Sequence, residues 1–194
     1  MTFNKFIFLS FILISLQSFS QNNLEYGLKA GLNLSGFHTN QSANTDKVSY
    51  HVGGFTEYNI NDVLSLQAEI LYNKKGGLYN FRSGSQPFTT SVETNLDYID
   101  LPLQAKIYIF RKLSLDLGPQ VGILINSSAE IDDDEAILDN DINSIDFTLN
   151  GGFSYKLNEL FFLQARYSYG LSEVFENRKY KNSVASLSLG YIFE

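Results

Sequence analysis

The sequence contains no cysteine and no tryptophan, and it has only three prolines. Without cysteine, disulfides cannot stabilise an exported fold, which must then rely on backbone pairing and packing. The same absence excludes a lipid-modified cysteine after a leader. No apolar run approaches the ~20 residues of a transmembrane helix, which argues against a helical membrane protein.

The chain also lacks the charge and the motifs of several functional classes. Its net charge is −7 and its pI is about 4.8, whereas nucleic-acid-binding surfaces are basic. It has no Gly-x-Ser-x-Gly motif, no His-x-x-x-His pair and no phosphate-binding glycine loop. We therefore expect no nucleic-acid partner, no cofactor and no enzymatic activity.

The first twenty residues have the pattern of a secretory signal peptide. A basic start around Lys5 precedes an apolar run from Phe6 to Leu16, and Ser18-Phe19-Ser20 supplies small residues before Gln21. We predict a signal peptide over residues 1–20 and a single domain over residues 21–194. Export then gives an outer-membrane, periplasmic or secreted location.

The clearest structural signal is the segment from Tyr98 to Ile109. Nearly every second residue from Ile99 is aliphatic, and polar residues such as Asp100 and Lys106 lie between them. A period of two predicts a strand with one apolar and one polar face. The segment is about as long as the ~9 to 11 residues of a strand that crosses a membrane.

Eight segments show such alternation, and they are Glu25–Gly36, Tyr50–Ile60, Val63–Lys74, Tyr98–Ile109, Leu113–Ile125, Ser144–Lys156, Phe161–Leu171 and Ser183–Phe193. Long predicted loops over 37–49, 75–97, 126–143 and 172–182 alternate with short turns at 61–62, 110–112 and 157–160. In an up-and-down meander, all the long loops then lie at one end, as in outer-membrane barrels. We predict an all-β, eight-stranded, antiparallel, up-and-down transmembrane β-barrel.

The polar strand faces carry intermixed charges, namely Lys29, Glu57, Glu69, Asp100, Lys106, Asp116, Asp146 and Arg166. If the apolar faces point outward, these residues form a structural charge network that plugs the lumen, since eight strands leave no open channel. In the alternative, a soluble lipocalin-like periplasmic barrel, the apolar faces enclose a small hydrophobic ligand and the charges are solvated.

Aromatic residues favour the membrane alternative. The final strand ends in Tyr191-Ile192-Phe193, and the pair Tyr191 and Phe193 is similar to the C-terminal assembly signal of outer-membrane barrels. Tyrosines near strand ends on the apolar face suit a membrane interface, and they are Tyr26, Tyr58, Tyr72, Tyr155, Tyr167 and Tyr169. Pro102 and Pro119 each remove a ladder donor, so we expect bulges or strand ends there.

The segment Tyr98-Ile-Asp-Leu-Pro-Leu-Gln-Ala-Lys resembles one of the PorT-like family of outer-membrane barrels from Bacteroidetes. Later segments that look like this family begin at Gly118, Gly151, Ala165 and Leu189. The resemblance covers essentially the whole mature chain and implies a barrel in the outer membrane. Apart from the resemblance, we expect a structural or binding role through the extracellular loops, with outer-membrane lipid, the barrel assembly machinery and an unidentified extracellular or secretion partner as the partners.

Two clusters could carry other chemistry. The acidic run Asp132-Asp133-Asp134-Glu135, with Asp139 and Asp141, could hold a cation, but it lacks the glycine and the spacing of a Ca²⁺ loop. We expect a solvated acidic tip instead. His38 and His51 flank the first loop, where a hydrolase of the barrel rim would place its catalytic residues. We predict no metal site and no catalytic site.

Overall fold

The computed structural model of the chain describes residues 23–38, 44–82, 89–131, 134–137, 142–174 and 180–193. The predicted signal peptide over residues 1–20 lies outside them. No helix in these segments is long and apolar enough to cross a membrane.

The described residues form ten strands: β1 (Leu24–His38), β2 (Asn44–Thr45), β3 (Lys47–Asn59), β4 (Leu64–Arg82), β5 (Thr89–Phe110), β6 (Leu113–Ile131), β7 (Asp134–Ile137), β8 (Ile145–Lys156), β9 (Phe161–Gly170) and β10 (Lys181–Ile192). Each of the eight long strands overlaps one predicted strand, and where a predicted strand extends beyond the observed one it does so by a single residue. The two short strands, β2 and β7, fall within predicted loops.

The eight long strands close into a barrel. Each pairs antiparallel with its neighbour in sequence, and β1 pairs with β10 from Gly27 opposite Ile192 to His38 opposite Lys181. The predicted eight-stranded, antiparallel, up-and-down barrel is therefore confirmed. The turns at 60–63, 111–112 and 157–160 lie at one end, called here the turn side, and the remaining connections lie at the other end, called the loop side.

Alternation puts the polar faces inside and the apolar faces outside. On β3, the inward residues His51, Phe55 and Glu57 are buried, whereas Val52 and Tyr58 point outward and are exposed. Leu103 and Leu187 are likewise exposed, although both are aliphatic. A soluble lipocalin-like barrel requires the opposite arrangement, so that alternative is wrong.

Two of the tight turns are stabilised by asparagine side chains. The Oδ1 atom of Asn61 accepts hydrogen bonds from the backbone N–H groups of Val63 and Leu64, each at 2.9 Å. Asn158 makes the equivalent bonds to Leu160 and Phe161, at 2.9 and 2.8 Å. Such local bonds replace the ladder where the chain reverses, which explains why these connections are short.

The largest departure from prediction is on the loop side. Residues 75–82, 89–97 and 126–131 were expected in loops, but they continue β4, β5 and β6 as a hydrogen-bonded sheet. β5 has 22 residues, about twice the ~9 to 11 that cross a bilayer. The parts of β4, β5 and β6 over 74–82, 89–97 and 126–131, together with β7, are called here the projecting sheet.

The two prolines lie inside strands without the expected bulges or strand ends. The pairing of β4 with β5 is interrupted between Ala68 opposite Leu103 and Leu71 opposite Asp100, beside Pro102, and resumes in the same register. Pro119 keeps its place opposite Leu149 in the pairing of β6 with β8. The register shifts lie elsewhere on β5, at Asp97/Tyr98 and Tyr108/Phe110. The barrel thus loses single ladder bonds at the prolines and needs no extra residue.

Candidate functional site

The interior of the barrel is built around Glu69 on β4. Its carboxylate accepts a hydrogen bond from Lys29 Nζ at 2.6 Å and two from the Arg166 guanidinium at 3.0 and 2.5 Å. All three side chains are almost fully buried. A bidentate arginine pair and a lysine on one carboxylate join three strands across the lumen.

A second ion pair lies beside Glu69 toward the turn side. Lys106 Nζ contacts Glu57 Oε2 at 2.7 Å and donates to Gln67 Oε1 at 3.0 Å, while Gln67 donates to Glu69. The Tyr108 hydroxyl also donates to Glu57, at 2.7 Å. Because Gln67 bridges the two ion pairs, they form one network, called here the Glu69 cluster.

Asp116 joins this cluster through neutral donors. The hydroxyl of Ser114 donates to it at 2.6 Å, the Gln164 amide donates at 2.7 Å, and Ser154 also contacts it. Gln164 in turn accepts from Lys29 at 2.9 Å. No described cation lies within salt-bridge distance of Asp116, so its carboxylate is stabilised by hydrogen bonds from Ser114, Ser154 and Gln164.

A separate cluster on the loop side is centred on Lys75. Its ammonium lies 3.0 Å from Asp100 Oδ1 and 3.1 Å from Asp146 Oδ2. Asn73 donates to Asp100 at 2.6 Å and Asn182 donates to Asp146 at 2.9 Å. Lys75 falls in the predicted loop over 75–97 and is therefore absent from the predicted charge network. Leu71, Asn73 and Lys75 are every second residue of β4 and share its inward face. This continued period of two is the signal that could have revealed Lys75.

His51 belongs to the interior. Its side chain is buried, and its two ring nitrogens lie 2.8 Å from Asn33 Oδ1 and 2.8 Å from Ser188 Oγ. His51 lies on the polar face of its strand, which β3 turns into the lumen, and not at the rim where a barrel hydrolase would place a catalytic histidine. The side chain of His38 lies outside the described part of the chain.

Apolar clusters close both ends of the polar interior. On the loop side, Phe37, Leu96, Tyr98 and Val174 pack together and are buried. Toward the turn side, Phe55 packs edge-on against Phe162 with ring centroids 5.2 Å apart, and Ile192 completes this second cluster. These clusters exclude water from the ion pairs and so strengthen their attraction.

The projecting sheet begins where the outer surface changes from apolar to charged. Lys74 and Asp97 form an ion pair at 3.7 Å at its base, and Lys47 contacts Glu93 at 2.5 Å. Of the acidic run, Asp134 and Glu135 begin β7, which pairs with the end of β6. The other acidic residues, Asp132, Asp133, Asp139 and Asp141, lie outside the described residues, so the prediction about cation binding stays a prediction.

The aromatic residues of the outer surface gather at the strand ends. Tyr191 and Phe193 contact each other edge-on with centroids 5.5 Å apart, and Tyr26 lies 5.7 Å from Phe193. At the loop side, the rings of Tyr50 and Tyr72 are 6.2 Å apart. Each set lies near one end of the apolar outer surface, as the interface belts of a membrane barrel do.

Comparisons with known proteins agree with this geometry. Residues 17–176 match the family described as "Outer membrane protein beta-barrel domain". The structure is similar to that of Ail, the attachment invasion locus protein of Yersinia pestis, with 14% identity over 88% of this chain and 99% of that chain and a TM-score of 0.54. It is also similar to Neisserial surface protein A, with 14% identity over 87% and 97% and a TM-score of 0.60.

At this level of identity, the likeness to the solved structures shows the fold alone. No curated protein sequence matches the chain significantly. The family match places the protein in the outer membrane, and the barrel neighbours agree with it in fold. The exposed apolar surface around the barrel therefore faces lipid and is called here the lipid belt.

Proposed function

Because the chain belongs to the outer membrane protein beta-barrel domain family, we propose that it is an integral binding protein of the outer membrane. In this proposal the lumen is plugged, and the loop-side surface, including the projecting sheet, binds a partner outside the cell. The observation that carries the proposal is the length of β4, β5 and β6, which far exceeds what a bilayer requires.

The plugged lumen is supported by the balance of charge in the Glu69 cluster. Its three cations, Lys29, Lys106 and Arg166, are matched by three anions, Glu57, Glu69 and Asp116, and all six side chains are buried. A buried charge is tolerated when it is paired and hydrogen-bonded. Eight strands leave only enough room for side chains, so this network fills the barrel rather than lining a channel.

The external binding role is supported by the form of the projecting sheet. β7 pairs with β6 on one side, and its other edge pairs with no described strand. A free edge offers backbone donors and acceptors to an incoming extended segment. Acidic residues from Asp132 to Asp141 flank β7 in the sequence, and this composition disfavours anionic partners and favours a basic protein segment.

The resemblance to PorT-like barrels supports the membrane part of the proposal, because that family lies in the outer membrane of Bacteroidetes. A role with a secreted or extracellular protein partner is consistent with a surface sheet and a closed lumen. In contrast, solute passage would require an open channel, and catalysis would require an accessible nucleophile and base. We therefore place the function on the surface of the loop side.

The proposal can be tested with a hairpin deletion and with site-specific photo-crosslinking. Replacing residues 76–95 by Asn-Gly connects Lys75 to Leu96, which already face each other across the hairpin. We expect this variant to assemble with normal heat-modifiable gel mobility. A photo-reactive residue at Ala136 on β7 should crosslink to a discrete partner in cells, and the deletion should abolish that crosslink.

A photo-reactive residue at Glu159, in a turn on the opposite end, is the matched control and should not capture the same partner. The proposal is contradicted if no position on the projecting sheet gives a discrete crosslink. It is equally contradicted if the Glu159 control captures the same species, because binding would then not belong to the loop side.

A further inference from the structure

A groove crosses the lipid belt on the turn-side half of the barrel. It has a volume of about 300 Å³ and runs over β9, β10, β1 and β3, which are neighbours in the barrel wall. Its apolar lining comes from Leu28, Ala30, Val52, Phe161, Leu189 and Tyr191. Phe161 and Tyr191 form its turn-side end, where their ring centroids are 5.2 Å apart.

The groove exists because short side chains lie among long ones. Ala30 points outward between Val52 on β3 and Leu189 on β10, with which it is directly paired. Gly54 lies diagonally beside it, opposite Leu28, and a Cβ atom on Gly54 would meet nothing nearer than the Gly27 carbonyl oxygen at 3.4 Å. The longer side chains around these two positions therefore form the sides of the groove.

We propose that this groove binds one acyl chain of a phospholipid. It opens on the lipid belt and runs from the interface aromatics toward the middle of the belt, as a chain of the adjoining leaflet does. Its volume of about 300 Å³ leaves room for a short stretch of an acyl chain. The inference rests on the proposed orientation, because a periplasmic turn side faces the phospholipid leaflet rather than the glycolipid leaflet.

The preference for a bound chain comes from close packing. Bilayer lipid is as apolar as the groove, so transfer from the bilayer gains no hydrophobic free energy. A chain seated between Leu28, Val52 and Leu189 gains dispersion contacts on several sides instead. The site is thus expected to retain one lipid when the surrounding bilayer is replaced by mild detergent.

Ala30→Leu tests the site because it fills the groove without leaving the apolar class. Ala68→Leu is the matched control, since Ala68 is also an exposed, outward-facing alanine on a central part of its strand and does not line the groove. The protein is purified from a membrane that contains both phospholipid and glycolipid, and retained lipids are counted by native mass spectrometry. Heat-modifiable mobility checks that each variant is folded.

We expect one retained phospholipid on the unmodified protein and on Ala68→Leu, and about tenfold lower occupancy on Ala30→Leu, because filling the groove removes about ten of the weak dispersion contacts that hold the chain. Equal retention by all three proteins overturns the proposal, as does the absence of retained lipid. The proposal is also overturned if glycolipid is retained instead, or if the protein forms a dimer that Ala30→Leu abolishes. Either result assigns the groove to another occupant. None of these results depends on the partner of the projecting sheet, so failure here is distinguishable from failure of the proposed function.

Discussion

Replacing Glu69 by leucine should destabilise the barrel by about 4 kcal/mol, which is the middle of the range for removing one partner of a buried ion pair. The carboxylate of Glu69 compensates both Lys29 and Arg166, and none of the three side chains is more than a few per cent exposed. Leucine leaves two buried cations with neutral partners only. Gln164 still accepts from both cations, which keeps the expected loss below the sum of two broken pairs.

A longer and less buried ion pair supplies the comparison for this prediction. Asp97 contacts Lys74 only at 3.7 Å, and the side chains of Lys74 and Asp97 are 35% and 11% exposed, so solvent screens this pair from the lysine side. Asp97→Asn should therefore cost less than ~1 kcal/mol. The double variant Glu69→Leu with Arg166→Met restores equal numbers of positive and negative charges in the Glu69 cluster, and it should recover at least ~2 kcal/mol of the loss.

Urea unfolding in phospholipid vesicles measures these differences. Because the chain has no tryptophan, the transition is followed by far-ultraviolet circular dichroism and by gel mobility without heating. The reasoning is refuted if Glu69→Leu costs no more than Asp97→Asn. It is also refuted if the double variant is less stable than Glu69→Leu alone, since the damage would then come from lost packing and not from uncompensated charge.

Three further predictions concern other parts of the molecule. Leu187→Arg places a charge on the lipid belt at a side chain that is 61% exposed, so it should cost ~2 to 4 kcal/mol and reduce the heat-modifiable fraction, whereas Leu187→Phe should not. Phe193→Ala should lower the amount of assembled barrel in the outer membrane but leave the urea midpoint of the assembled protein nearly unchanged. Gly76→Val should disturb the projecting sheet alone, because Gly76 has φ 137° and an added Cβ would lie 1.9 Å from the Thr94 carbonyl oxygen. The expected result is protease cleavage within 74–97 while the barrel stays intact.

The sequence was sufficient for the barrel itself because membrane strands obey a strict period of two. Fixing Glu57 on the polar face of its strand also turned Phe55 inward, and the structure buries both residues. The register of one strand therefore follows from a single charged residue, since an error of one position would expose every polar side chain to lipid.

The projecting sheet could not be predicted in the same way. Residues such as Gly76, Gly77 and Asn95 are typical of loops, and outside the bilayer both faces of a strand can be polar, so the alternation of hydrophobicity fades. Pairing partners rather than local composition decide that these residues form strands. Lys75 is missing from the predicted network for this reason. A residue that is assigned to a loop cannot be assigned to the inward or the outward face of a strand.

The interior network was predicted only by its charges. Gln67, Gln104 and Gln164 lie on the polar faces, yet the bridging role of Gln67 and Gln164 and the bond from Arg166 to Gln104 depend on which strands meet across the lumen. Such contacts join residues far apart in sequence, and a period of two gives no information about distance across a barrel. Position on a face could be predicted, whereas the partner of each side chain could not.

The orientation of the barrel is the central claim, and single-cysteine labelling of intact cells tests it most directly. The chain has no cysteine, so Asn126→Cys on the loop side and Asp62→Cys on the turn side are each the only thiol in their variant. Both side chains are exposed. A membrane-impermeant maleimide should label Asn126→Cys on intact cells and Asp62→Cys only after permeabilisation. Labelling of Asp62→Cys alone on intact cells would contradict an external projecting sheet.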